Sequence, residues 1–344
     1  MFNVTDDDFT VIKYPKVATV AASICAILFC VVGVIGNSVT ILALCRCPKL
    51  RCQATTAFVM SLCISDLLFC SVNLPLTAVR YINEEWTLGD ALCKLFPVLF
   101  YGNVAVSLLN MVAITLSRYI LIAYSKYYEQ LYSKAGIWLQ IVAAWGIALL
   151  IMLPPLLEIW GRLGLNPSTF SCTILEKDGS SPKKVLFLIG FVLPCVVIII
   201  SYSCIYWKVR RSRLNMLKHQ PTNKKDRQSQ KREKDDNRLT KLMLIIFVCF
   251  LCCFLPLMMM NVFDDDVAYP SLHVVASILA WASSVINPFI YAASNRQYRT
   301  AYSKLFRIFQ STVAVSKPGS GSTDFRAIEK NGQPFTSKVN LDFT

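Results

Sequence analysis

Apolar residues run along this chain in seven long blocks separated by polar connections. Residues 17–45, 95–117, 135–157, 185–207, 242–263 and 267–295 carry no charge, and a seventh block, 52–79, is broken only by Asp66. Each reaches the roughly 20 residues that a helix needs to cross a ~30 Å hydrocarbon layer. Helices buried in a soluble core seldom stay apolar on every face for that length. The pattern therefore predicts an all-α membrane protein, a seven-transmembrane helix bundle over 17–295. Beyond it, Tyr298, Tyr302, Leu305, Phe306 and Phe309 recur at three- and four-residue intervals, with Arg296, Arg299, Lys304 and Arg307 between them. That spacing predicts an amphipathic eighth helix, 296–310, on the cytoplasmic membrane surface. Residues 1–16 then form an extracellular N-terminus, and 311–344, rich in Ser, Thr, Gly and Pro, a disordered cytoplasmic tail.

Charge fixes the direction of threading. Lys and Arg total 35 against 21 Asp and Glu, a net +14 that in a soluble chain would suggest nucleic acid. Here 27 of the 35 basic residues fall in the first, third and fifth connections and the tail, and the other 8 lie across the membrane beside 12 of the acids. Positive charge stays in the cytoplasm on insertion, so the N-terminus is outside, the C-terminus inside, and the excess charge is a topology signal rather than a nucleic-acid footprint. The chain is expected in the plasma membrane. Residues 208–241 hold 13 basic and 4 acidic side chains, as a helical extension or flexible loop facing anionic lipid or a cytoplasmic partner. Residues 1–16 lack the features of a signal peptide, so the first span directs insertion without being removed. Asn3 begins an Asn-Val-Thr glycosylation sequon on the outer side.

Of 14 cysteines only Cys93 and Cys172 fall in outer connections. Two thiols in an oxidising compartment are expected to pair, tying the third span to the loop between the fourth and fifth. Asp66, near mid-membrane, is costly if ionised. Either it is protonated or locally hydrogen-bonded, or it faces a polar cavity. Asn37, Asn103, Ser107, Ser283, Ser284 and Asn287 could line such a cavity, and these oxygens suit Na⁺ as an allosteric ion. Arg118 lies 25 residues from Cys93, roughly 37 Å along a helix, and so closes the third span at the inner surface. Pro75, Pro154, Pro155, Pro194, Pro256 and Pro288 interrupt spans and invite kinks. The odd span count and lack of internal repeats weigh against a transporter or channel using an ion site at Asp66, which stays the second reading. His219 and His273 lie on opposite sides, so neither enzyme chemistry nor a required cofactor is expected.

Together these residues resemble the rhodopsin-like, or class A, G-protein-coupled receptors, and more narrowly the moody and trapped-in-endoderm group of invertebrate orphan receptors. The resemblance rests on Gly36-Asn37, Leu62 with Ser65-Asp66, Trp86 to Gly89 before Cys93, Trp145, Pro194 with Tyr202, Phe250 with Cys253 to Pro256, and Asn287-Pro288-Phe289-Ile290-Tyr291. Two departures stand out. Ser117 occupies the usual acid position before Arg118 and Tyr119, leaving Asp236 to supply a replacement ion pair, and Phe254 replaces the usual Trp above Pro256.

The resemblance implies a receptor that binds an extracellular ligand, moves helix six outward and activates a heterotrimeric G protein, with Arg118, Tyr202 and Tyr291 lining the opened cleft. It implies a ligand pocket of Phe100, Tyr101, Val104, Phe254, Leu257, Met258, Asn261, Ser277 and Trp281. Phe100 stands where amine receptors place an Asp, so a hydrophobic or lipid-like small molecule is expected. Arg80 and Arg162 are either interfacial anchors or partners for an acidic head group. Arrestin and a receptor kinase are expected on the tail, where Ser316, Ser320, Ser322, Thr323, Thr336 and Ser337 could take phosphates, and membrane lipids surround the bundle.

Overall fold

In a computed structural model, residues 14–217, 224–263 and 267–315 are described. Seven helices are long and apolar enough to cross a membrane: α1 (Lys16–Cys45), α2 (Ala54–Asn83), α3 (Gly89–Ala123), α4 (Lys134–Leu156), α5 (Lys183–Arg211), α6, which spans with Asn237–Asn261, and α7 (Pro270–Ser294). They match the seven apolar blocks in order. An eighth helix, α8 (Arg296–Val315), follows and continues past residue 310, where the periodic apolar face was expected to stop it. Residues 1–306 form one compact unit, treated below; of the second, 307–344, the described part is the end of α8. Asn3 and the tail residues from Ser316 lie outside the described residues.

Membrane-facing surfaces are apolar. On α4 Trp138, Leu139, Val142, Leu149 and Leu150 are exposed, and on α1 Val17, Ile24 and Leu28 are exposed. Such faces would be untenable in water and are expected against lipid. Inside the bundle the helices are joined by polar groups with few alternatives in hydrocarbon. Asn37 Nδ2 donates to the Gly33 and Ser284 carbonyls at 3.0 and 2.9 Å, tying α1 to α7, and Trp145 Nε1 donates to Ser61 Oγ at 3.0 Å, tying α4 to α2. Gly33 is required by close approach, because a Cβ there would overlap Cys70 and press on Val285. At the end of α7 the Arg299 guanidinium donates to the Ala292 and Ala293 carbonyls, satisfying groups that a helix C-terminus leaves open.

The prolines act where a backbone donor is missing. One wide turn, Phe69–Asn73, precedes Pro75 in α2, and another, Leu188–Val192, precedes Pro194 in α5. A proline cannot bond the carbonyl four residues back, and a wider turn absorbs the mismatch. Pro97, just inside α3, joins the expected set.

One element was not expected from the pattern. Between α4 and α5 the strands β1 (Arg162–Asn166) and β2 (Ser171–Leu175) form an antiparallel hairpin in which Leu163 faces Ile174 and Leu165 faces Cys172. Leu163, Cys172 and Ile174 are buried against the bundle. A disulfide joins Cys172 to Cys93 at a Cα separation of 5.2 Å, as the outer-loop cysteine count requires.

Candidate functional site

Three polar stations lie along the bundle. At mid-membrane, Asp66 of α2 is buried and accepts from Asn287 Nδ2 of α7 at 2.9 Å, with Ser284 close by. Ser284 and Asn287 share a face of α7 by their three-residue spacing. Asn103 of α3 donates to Ser65 Oγ at 2.8 Å, beside Asp66 rather than to it. The buried Ser107 hydroxyl has no hydrogen-bond partner among the described residues. Ser283 donates to the Ala280 carbonyl of its own helix. Asp66, Ser284 and Asn287 thus lie together, while Asn103, Ser107 and Ser283 do not bond the carboxylate. A carboxylate, neighbouring hydroxyls and one orphaned buried oxygen are a donor set that fits a small hard cation.

At the cytoplasmic end Arg118 is buried and its Nη2 donates to the Thr55 hydroxyl of α2. Asp236, which sequence offered as an ion-pair partner for Arg118, has its side chain outside the described residues. Ser117 is buried beside it. Tyr119 points elsewhere: its ring meets Tyr124 at 5.9 Å. Among the described residues the buried hydroxyls of Tyr202 and Tyr291 have no hydrogen-bond partner, and the Tyr291 ring stacks on Tyr298 at 5.2 Å. Between this end and the outer cavity, Phe250 and Phe254 of α6 (Lys224–Phe263) stand ring to ring at 4.7 Å, six and two residues before Pro256.

The extracellular third holds two adjoining chambers of about 100 and 90 Å³. Phe100, Tyr101, Leu257, Asn261, Ser277 and Trp281 line the first, and Tyr101, Val104, Met258 and Asn261 the second. Phe254, expected in the wall, lines neither; its ring packs on Phe250. Arg80 lines the first chamber, and Arg162 lines neither. Sequence reasoning missed Tyr14, Tyr81, Lys183, His273 and the hairpin residues Thr169 and Thr173. The signal for the hairpin was present, since the Cys93 to Cys172 link places every neighbour of Cys172 over the mouth of the bundle.

The family model of the 7 transmembrane receptor (rhodopsin family) matches residues 36–291. The chain is 55% identical over 313 residues to Protein trapped in endoderm-1 of Drosophila melanogaster, covering 86% of this chain and 80% of that protein. It is 34% identical over 337 residues to G-protein coupled receptor moody of the same organism, covering 82% of this chain and 50% of the longer protein. Among solved structures, squid rhodopsin superposes with a TM-score of 0.77 at 23% identity, covering 87% of this chain and 88% of that one, a likeness of fold.

Proposed function

Because the chain belongs to the rhodopsin family of seven-transmembrane receptors, a family of signalling receptors rather than enzymes, we propose that it binds a hydrophobic, lipid-like ligand in the outer chambers and activates a heterotrimeric G protein through outward movement of α6. The observation that carries this reading is the aromatic step at Phe250 and Phe254, which lies below the chambers and beside Pro256. A ligand pressing on Leu257 and Met258, one turn further out, would shift that stack and bias the helix about its proline. Binding contributes only the difference in ligand affinity between the resting and open packings. Phospholipid, arrestin and receptor-kinase contacts belong to the same proposal and rest on the cytoplasmic charge and the Ser- and Thr-bearing tail. A C-terminus inside the cell is supported by the charge asymmetry, and residence in the plasma membrane belongs to the same proposal.

The test is nucleotide exchange on purified G protein by the full chain in lipid nanodiscs. Exchange above that of empty nanodiscs is expected, rising with an apolar ligand; ion flux through the protein without exchange would favour the channel reading.

Asp66, Ser284 and Asn287 would hold Na⁺ in the resting packing, with Ser107 as a further oxygen. An ion that prefers one state stabilises it by about 1.4 kcal/mol at ten times its dissociation constant, so raising Na⁺ at fixed ionic strength is expected to lower basal exchange several-fold. Asp66→Asn removes the charge and is expected to flatten that dependence. Equal sodium sensitivity in parent and variant would remove the assignment.

A further inference from the structure

Arg80 of α2 is 6% exposed, yet no carboxylate pairs with it among the described residues. Its guanidinium lies 4.4 Å from the Tyr81 ring centre, 5.8 Å from Phe96 and 5.9 Å from Phe170. Nη1 donates to the Thr169 carbonyl at 3.2 Å, while the buried Nε has no hydrogen-bond partner. Rings and a carbonyl attract a cation without neutralising it, and a buried charge lacking a counter-ion is expensive. The residue after Thr169 adds to that cost. Phe170 has φ of 39°, a left-handed conformation that a phenylalanine rarely adopts, and in it the hairpin tip presents both a carbonyl and a ring to Arg80.

Arg80 lines the first chamber together with Lys183, which lines the second as well. The chambers also share Tyr101 and Thr173, whose hydroxyls lie 3.1 Å apart. Beyond that pair the second chamber is walled by Val104, Met152, Ile174, Leu186, Phe191 and Met258. Arg80 thus gives the first chamber a buried positive charge with unused donor capacity, and the wall of the second is mostly hydrocarbon. We propose that the ligand is an amphiphilic anion, its carboxylate or phosphate head held by Arg80 in the first chamber and its apolar tail laid past Tyr101 and Thr173 into the second. The assignment rests on the apolar-ligand reading above and adds the head group to it. A cationic ligand is disfavoured in the same space by Arg80.

The full chain in phosphatidylcholine nanodiscs is titrated with dodecanoate, dodecyl phosphate and the neutral methyl dodecanoate. At least one anion is expected to bind roughly tenfold or more tightly than the ester, the ordinary worth of a hydrogen bond to a charged group. Whichever anion binds better identifies the head group. Arg80→Gln is expected to remove that advantage while leaving the ester's affinity unchanged, which also reports that the variant is folded. Arg80→Lys, which keeps the charge without the planar fork, is expected to fall between. Gly190 borders the second chamber and a Cβ there meets nothing within 4 Å, so Gly190→Leu is expected to weaken dodecanoate more than hexanoate. Anion affinity equal in the parent and Arg80→Gln, or an ester that binds as well as the anions, overturns the head-group assignment. Ester binding that Gly190→Leu abolishes would then leave the apolar-ligand reading standing, and failure of all three probes to bind would overturn both.

Discussion

Arg118→Ala is expected to abolish G-protein activation, lowering the receptor-dependent rate of nucleotide exchange by roughly a hundredfold, since removing one buried charged partner from an interface costs about 2–5 kcal/mol. Arg118 ends the run of α3 from the disulfide to the cytoplasmic surface, and its guanidinium is buried between helices rather than spread on lipid head groups. An anchoring arginine would be exposed at that depth. Were α6 to move outward as proposed, the same side chain would face the space that a transducer enters and could donate to its backbone carbonyls. Exchange that continues at the parental rate in the variant, at equal receptor level, would remove Arg118 from the coupling surface.

One of the holds on Arg118 is neutral. With Ser117 in place of an acid, the Thr55 hydroxyl of α2 accepts from its guanidinium. A hydrogen bond between a charged and a neutral group contributes about 1.5–3 kcal/mol, less than a buried ion pair broken from one side. Thr55→Val keeps the shape of the side chain and deletes the acceptor. Basal exchange is expected to rise, roughly tenfold, because the bond is present only in the closed packing. Unchanged basal exchange in Thr55→Val would mean that the hold lies elsewhere.

The seven spans were legible because hydropathy is summed over 20 or more residues, so no single contact decides them. Asp66 and Asn287 were legible for a related reason: a carboxylate and an amide in hydrocarbon have few stable solutions besides each other, and they meet at 2.9 Å. Thr55 was not legible. A threonine near the start of a span is unremarkable until the crossing of α2 and α3 brings it to Arg118, and crossings depend on packing rather than periodicity. Nor was the hairpin: five-residue strands such as Ser171–Leu175 carry too few alternations to stand out from a polar loop. Arg80 was visible as a charge, but its burial follows from Phe96 and Phe170, one on the next helix and one on the hairpin tip. Wide turns before Pro75 and Pro194 escaped notice because proline announces a missing donor without stating how the chain adjusts.

The paired variant Cys93→Ser, Cys172→Ser is expected to lose thermal stability and, with it, most ligand-dependent signalling. The bond closes a loop of 79 residues, and a cross-link of that size restricts the unfolded chain by on the order of 4 kcal/mol. Position makes the loss functional as well. β2 is held to α3 at Cys172, and on either side of that residue Thr173 meets Tyr101 while Thr169, at the turn, accepts from Arg80. Without the bond the hairpin keeps only these weak contacts and the burial of Leu163 and Ile174, so the outer wall of both chambers loosens together. Serine preserves size and avoids a free thiol. Reduced surface level and a lowered melting temperature are therefore expected, with ligand affinity falling further than stability alone accounts for in the fraction that remains folded. Comparing affinity per folded receptor in parent and variant separates the two effects. Parental affinity in that folded fraction would show that the hairpin shapes stability but not the ligand site.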